Sequence, residues 1–84
     1  MHMVIKMTRD EVAELVMDVL TNELGVKPGD IVPFQLLKAN YRARNGDSAD
    51  IKHGLECAVE LEWLELIPGS HDLRLTMLGY EAAP

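Results

Sequence analysis

Two amphipathic segments meet at Asn45-Gly46-Asp47-Ser48, and that joint limits what the chain can become. Asn and Gly both tolerate positive φ, so the backbone turns sharply there. Hairpin flanks would alternate apolar and polar residues, whereas these flanks repeat with a helical period. Before the joint, at about 100° per residue, Phe34, Leu37 and Tyr41 fall in one narrow sector facing the core. Gln35, Lys38 and Arg42 lie on a neighbouring polar face, and Leu36, Ala39 and Ala43 form a second apolar side. That pattern predicts a helix wedged between two others, from Pro33 to about Arg44, with Pro33 at the first position, where its missing amide costs nothing. After the joint, Asp47 or Ser48 caps a further helix reaching about Glu62. Its expected inward residues are Ile51, Leu55, Ala58 and Val59; Asp50, Lys52, His53, Glu56, Cys57 and Glu60 point outward. Gly54 in its middle costs about 1 kcal/mol relative to Ala, and close helix packing is the expected reason for it.

Upstream, Thr8-Arg9-Asp10-Glu11 has the form of a capping box. Val12, Leu15, Val16, Val19, Leu20 and Leu24 follow at helical spacing, and Gly25 supplies a left-handed stop, which predicts a first helix over residues 9–24. Its outer face, with Asp10, Glu14, Asp18 and Glu23, is acidic and expected to be solvated. Pro28-Gly29 marks a turn, and Ile31-Val32 can form a very short strand. Downstream, 63–67 and 73–77 read as strands joined by the turn-rich Pro68-Gly69-Ser70-His71-Asp72. Leu73, Leu75 and Met77 share one face of the second strand, and Glu65 and Arg74 can pair across the hairpin. Tyr80 in the tail is expected to pack back on the core.

The chain has 84 residues, enough for one domain with one small core. Tryptophan, tyrosine and phenylalanine are scarce, so Leu, Val, Ile and Met must fill that core. A lone Cys57 rules out an internal disulfide and agrees with a reducing compartment. No apolar run is long enough for a signal peptide or a membrane span, so a cytoplasmic protein with no membrane partner is expected. Residues 1–7 are expected to be a flexible lead, the domain 8–81 and the tail 82–84.

Helix, short strand, helix, tight turn, helix and hairpin is an order that resembles the winged helix-turn-helix superfamily. Leu64-Glu65-Leu66-Ile67, the Pro68-Gly69-Ser70 tip, Leu73-Arg74-Leu75-Thr76 and the following Gly79-Tyr80 are similar to the wing and exit of many bacterial winged-helix regulators. The resemblance implies a mainly helical α+β fold, a three-helix core with a C-terminal two-stranded β-hairpin wing. It also implies a small transcriptional regulator that binds duplex DNA, in many cases as a homodimer. Carried over by position, the contact residues are Ser48, Lys52 and His53 on the helix after the joint. Lys38, Arg42 and Arg44 join them from the helix before it, and His71 and Arg74 from the wing, with Ser70 at its tip.

The charge pattern sets a second reading beside the first. A net charge of −6 runs against the basic balance usual in nucleic-acid binders, whose affinity comes largely from neutralising phosphates. Between Ser48 and Glu62, Asp50, Glu56, Glu60 and Glu62 oppose Lys52 alone. Residues 33–46 instead hold Lys38, Arg42 and Arg44 and no acid. The alternative is therefore a protein-interaction module that does not bind DNA, with Val4, Ile5 and the nearby methionines available as contact surface. Asp50, His53 and Cys57, spaced i, i+3, i+7, could in principle meet a metal or form a Cys–His pair. Ligands at flanking positions are missing, and neither a metal nor a cofactor is expected. No nucleophile–base arrangement or phosphate loop stands out, so an enzyme is not expected.

Overall fold

The computed structural model describes residues 8–45 and 48–84. The lead at 1–7, the Gly46-Asp47 turn and the side chains of Asn45, Ser48 and Ala49 lie outside the described residues. So do the contact surface expected at Val4 and Ile5 and the DNA contact expected from the Ser48 side chain.

The capping box closes as its residues require: the Glu11 amide donates to Thr8 Oγ1 at 3.2 Å, and the Thr8 amide to Glu11 Oε1 at 3.0 Å. Helix α1 runs Arg9–Asp18 and widens into a π-helical turn over Val19–Glu23, where the Leu24 amide donates to Val19 O at 3.0 Å. Gly25, at φ 65°, then ends the helix. Val12, Val16, Val19 and Leu20 are buried as expected, while Leu15 and Leu24 are half-buried. Ala13 and Met17 are buried too, because α1 is covered on more than one side.

Helix α2 (Phe34–Asn45) buries Leu37 and Tyr41 and half-buries Phe34. The second apolar side is a correction: Leu36, Ala39 and Ala43 are exposed. The helix is not wedged, because its neighbours gather on the Leu37–Tyr41 side. Helix α3 (Ser48–Glu60) turns its expected stripe inward, with Ile51 and Ala58 buried and Leu55 and Val59 packed against the core, and departs from expectation at Cys57. Cys57 is buried rather than outward, and Leu55 and Val59 are half-buried, while Ile51, Gly54 and Ala58 lie innermost. Gly54 serves close helix packing as expected, since a Cβ there would overlap Val12 Cγ1 and stand 3.1 Å from the Val12 carbonyl carbon. The missing side chain lets α1 and α3 approach closely at that point.

Among the described residues, three short strands form one antiparallel sheet in the order β1-β3-β2: β1 (Ile31–Pro33), β2 (Leu64–Leu66) and β3 (Asp72–Leu75). The expected two-stranded wing thus becomes a three-stranded sheet. The short strand at Ile31-Val32 pairs with β3, setting Val32 opposite Leu73 and Ile31 opposite Arg74. Pro33 closes this edge strand rather than opening α2, a position where its lost donor is harmless. On the other side, Leu64 faces Leu75, Glu65 faces Arg74 and Leu66 faces Leu73. Val32, Leu64, Leu73 and Leu75 bury the inner face of the sheet.

The end of the chain differs from expectation. Met77 does not extend β3; it opens a short helix α4 (Met77–Ala82) and is 59% exposed. Thr76 causes this change by accepting from the Gly79 amide at 3.0 Å as the N-cap. Tyr80 is 39% exposed, so the expected anchor is misplaced by one residue. Gly79 is the buried contact, with no room for a side chain because an added Cβ would stand 2.9 Å from the Trp63 carbonyl carbon. Among the described residues, no helix is long and apolar enough to cross a membrane.

Candidate interaction surfaces

The basic residues before the joint do not form one surface. Arg44 turns away toward α1: Nη2 lies 2.6 Å from Asp18 Oδ2 and Nη1 2.8 Å from Glu23 Oε1. Hydrogen bonds from Asn22 and then Arg44 hold the Asp18 carboxyl below the usual aspartate range, and its bonds to Asp18 and Glu23 raise the Arg44 guanidinium further. The acidic side of the first helix is thus partly used inside the fold. Lys38 is half-buried and Arg42 exposed on α2. His71 lies at the opposite end of that helix, where its carbonyl accepts from the Phe34 amide at 3.0 Å. Arg42 lies eight residue steps further along the helix, about 12 Å at 1.5 Å per residue. Arg74 is half-buried in the middle strand between Ile31 and Glu65, away from the hairpin tip.

On α3, Lys52 and His53 are exposed, with carboxylates on both sides of them in the chain. Cys57, one turn further on, is buried against α1. Its thiol meets Asp10 Oδ1 at 3.3 Å, and burial, followed by the Asp10 hydrogen bond, raises its pKa. Asp50, His53 and Cys57 therefore do not converge, and no cluster of three or more potential ligands is close enough to hold a metal among the described residues.

A different surface emerges beside α3. Leu64 and Leu66 share one face of β2, yet Leu64 is buried and Leu66 is 63% exposed. Leu66 therefore carries the core face of the sheet out beyond its helical cover. Three adjoining depressions share this side chain. The one against α3 is lined by Lys52, Leu55, Glu56, Val59, Glu60 and Leu66. Toward α4 the surface continues over Met77 and Leu78, with Glu62 and Glu65 at its border, and toward the hairpin tip over Phe34 and Ile67. The result is a half-buried to exposed apolar strip whose border holds four carboxylates, Glu56, Glu60, Glu62 and Glu65, and one lysine, Lys52. Arg9 reaches one of them, Glu60, at 3.1 Å, with both side chains at least half exposed.

Of the residues lining the strip, Lys52, Ser70 and His71 are among the candidate contacts read from the sequence, and its apolar residues are not. A usable signal was present, because Leu55 and Val59 recur at i, i+4 beside Glu56 and Glu60 at the same interval. Assigning Leu55 and Val59 to the core hid it. Comparison of the chain with known protein families, with characterised proteins and with solved structures finds no match.

Proposed function

We propose that this chain is a winged helix-turn-helix domain acting as a protein-interaction module. The order α1-β1-α2-α3-β2-β3, with β2 and β3 as the wing hairpin, supports the fold reading. One observation carries the function: the open side of α3 and β2 is an apolar strip whose border is mainly acidic, with Lys52 the one lysine beside Glu56, Glu60, Glu62 and Glu65. Duplex DNA presents phosphates, which such a border repels, and offers little to an apolar strip. A protein segment with apolar and basic groups satisfies both features.

A second reading, the small DNA-binding regulator, draws on exposed Arg42 and on Lys38 along an α2 that holds no acid. Titrating the protein into fluorescently labelled duplex DNA at low salt separates the two. The interaction module gives no anisotropy change there. Binding that collapses as salt rises and is lost in Arg42→Glu establishes the regulator instead.

A further inference from the structure

We infer that the segment docking on this strip is a basic amphipathic helix of a partner protein, an inference that rests on the interaction-module reading. Leu55 and Val59 stand one turn apart on α3, about 6 Å along its axis, and Leu66 projects beside them from β2. An apolar stripe at i, i+3 or i+4, and i+7 on an incoming helix matches that spacing. Glu56 and Glu60 border the strip along α3, and Glu62 borders it where the chain leaves that helix; Lys52, one turn before Glu56, and Arg9 on Glu60 offset part of that charge and leave the border acidic. Lysines or arginines flanking the incoming stripe meet this border. Charge complementarity selects the occupant, since a second copy apposed through the same face would set carboxylates against carboxylates. The exposed edge of β2 is a weaker template for an added strand, being three residues long and followed closely by Pro68.

The test uses the full chain, isotopically labelled for amide NMR, and an 18-residue helical peptide with leucines at that spacing and lysines alongside. A control peptide replaces every lysine with glutamate. The lysine peptide is expected to shift the amide signals of Leu55, Val59 and Leu66 and to bind at least tenfold more tightly than the control. Leu66→Gln, a substitution at an exposed position that circular dichroism can confirm as folded, weakens binding roughly tenfold or more, as loss of a central apolar anchor does. Glu56→Lys weakens it roughly threefold and flattens its salt dependence. Equal binding of both peptides at the strip overturns the basic-helix inference and leaves the interaction module standing. Self-association abolished by Leu66→Gln does the same, in favour of a second copy. If neither peptide binds and the chain stays monomeric in sedimentation, both proposals fall.

Discussion

Along α3, Gly54 and Cys57 press against α1 on one side, while Leu55, Val59 and Glu56 border an open depression on the other. The first side is fixed by steric contact: Val12 occupies the volume a Cβ would need at Gly54, so only glycine fits without displacement. The second side is apolar without being filled. One helix thus presents both a closed packing surface and an unsatisfied one, and substitutions on its two sides should behave differently. Gly54→Val is the strongest test of the closed side. Branched carbons would enter both the Val12 side chain and its backbone, which puts the cost near the upper end of the roughly 1–3 kcal/mol typical of overpacking. Urea denaturation should show a lost or greatly weakened transition. A midpoint equal to that of the parent would mean that α1 and α3 are not in close contact.

The boundary between the two sides lies where α3 ends. The Trp63 amide donates to Ala58 O at 2.8 Å and the Glu62 amide to Val59 O at 3.0 Å, a Schellman-type closure with Glu62 at φ 63°. A side chain in that conformation costs about 1–2 kcal/mol, and the extra freedom of glycine in the unfolded chain returns part of it. Glu62→Gly is therefore expected to stabilise by about 0.5–1 kcal/mol in thermal or urea denaturation. Destabilisation instead would show that the Glu62 side chain contributes to the fold beyond its backbone geometry. On the open side, Leu66→Gln should change stability by no more than about 0.5 kcal/mol, because an exposed side chain loses little on replacement. A loss of about 2 kcal/mol in the same denaturation assay would mean that the strip is part of the core.

The sequence exposed these contrasts unevenly. The capping box at Thr8, the stop at Gly25, the short strand at Ile31-Val32 and the central core residues were legible, because each rests on local chemistry or a simple period. The burial of Cys57 was not, since it depends on how closely α1 approaches at Gly54. The exit was misread for a similar reason: Thr76 ends β3 by capping α4, and Gly79 takes the buried place that Tyr80 was expected to fill. Candidate contacts were harder still. Charge counting grouped Arg44 with Lys38 and Arg42, yet its partners Asp18 and Glu23 lie more than twenty residues earlier in the chain. Leu66 resembled an ordinary strand residue, and only the extent of its helical cover distinguishes it from Leu64.

The Arg44 contact with α1 is the mildest case, neither sterically closed nor open, and its test is pH. Asn22 is the leading cause of the low Asp18 carboxyl, with Arg44 second, against an ordinary aspartate value of 3.8. With the folded value below the unfolded one, the unfolded chain takes up the proton first as pH falls. This contribution to stability is therefore present above about pH 4 and declines below it, through the lower folded value. Asn22→Ala should flatten the acid limb of a urea-denaturation series more than Arg44→Gln does, following the order of causes. Added salt should weaken the Arg44 share, since both partners are reached by solvent. If the two variants keep the parent's acid limb unchanged, the pairing seen at Asp18 contributes nothing to folding, and Arg44 is available to the surface of α2 after all. The DNA-binding reading would then regain its third basic residue.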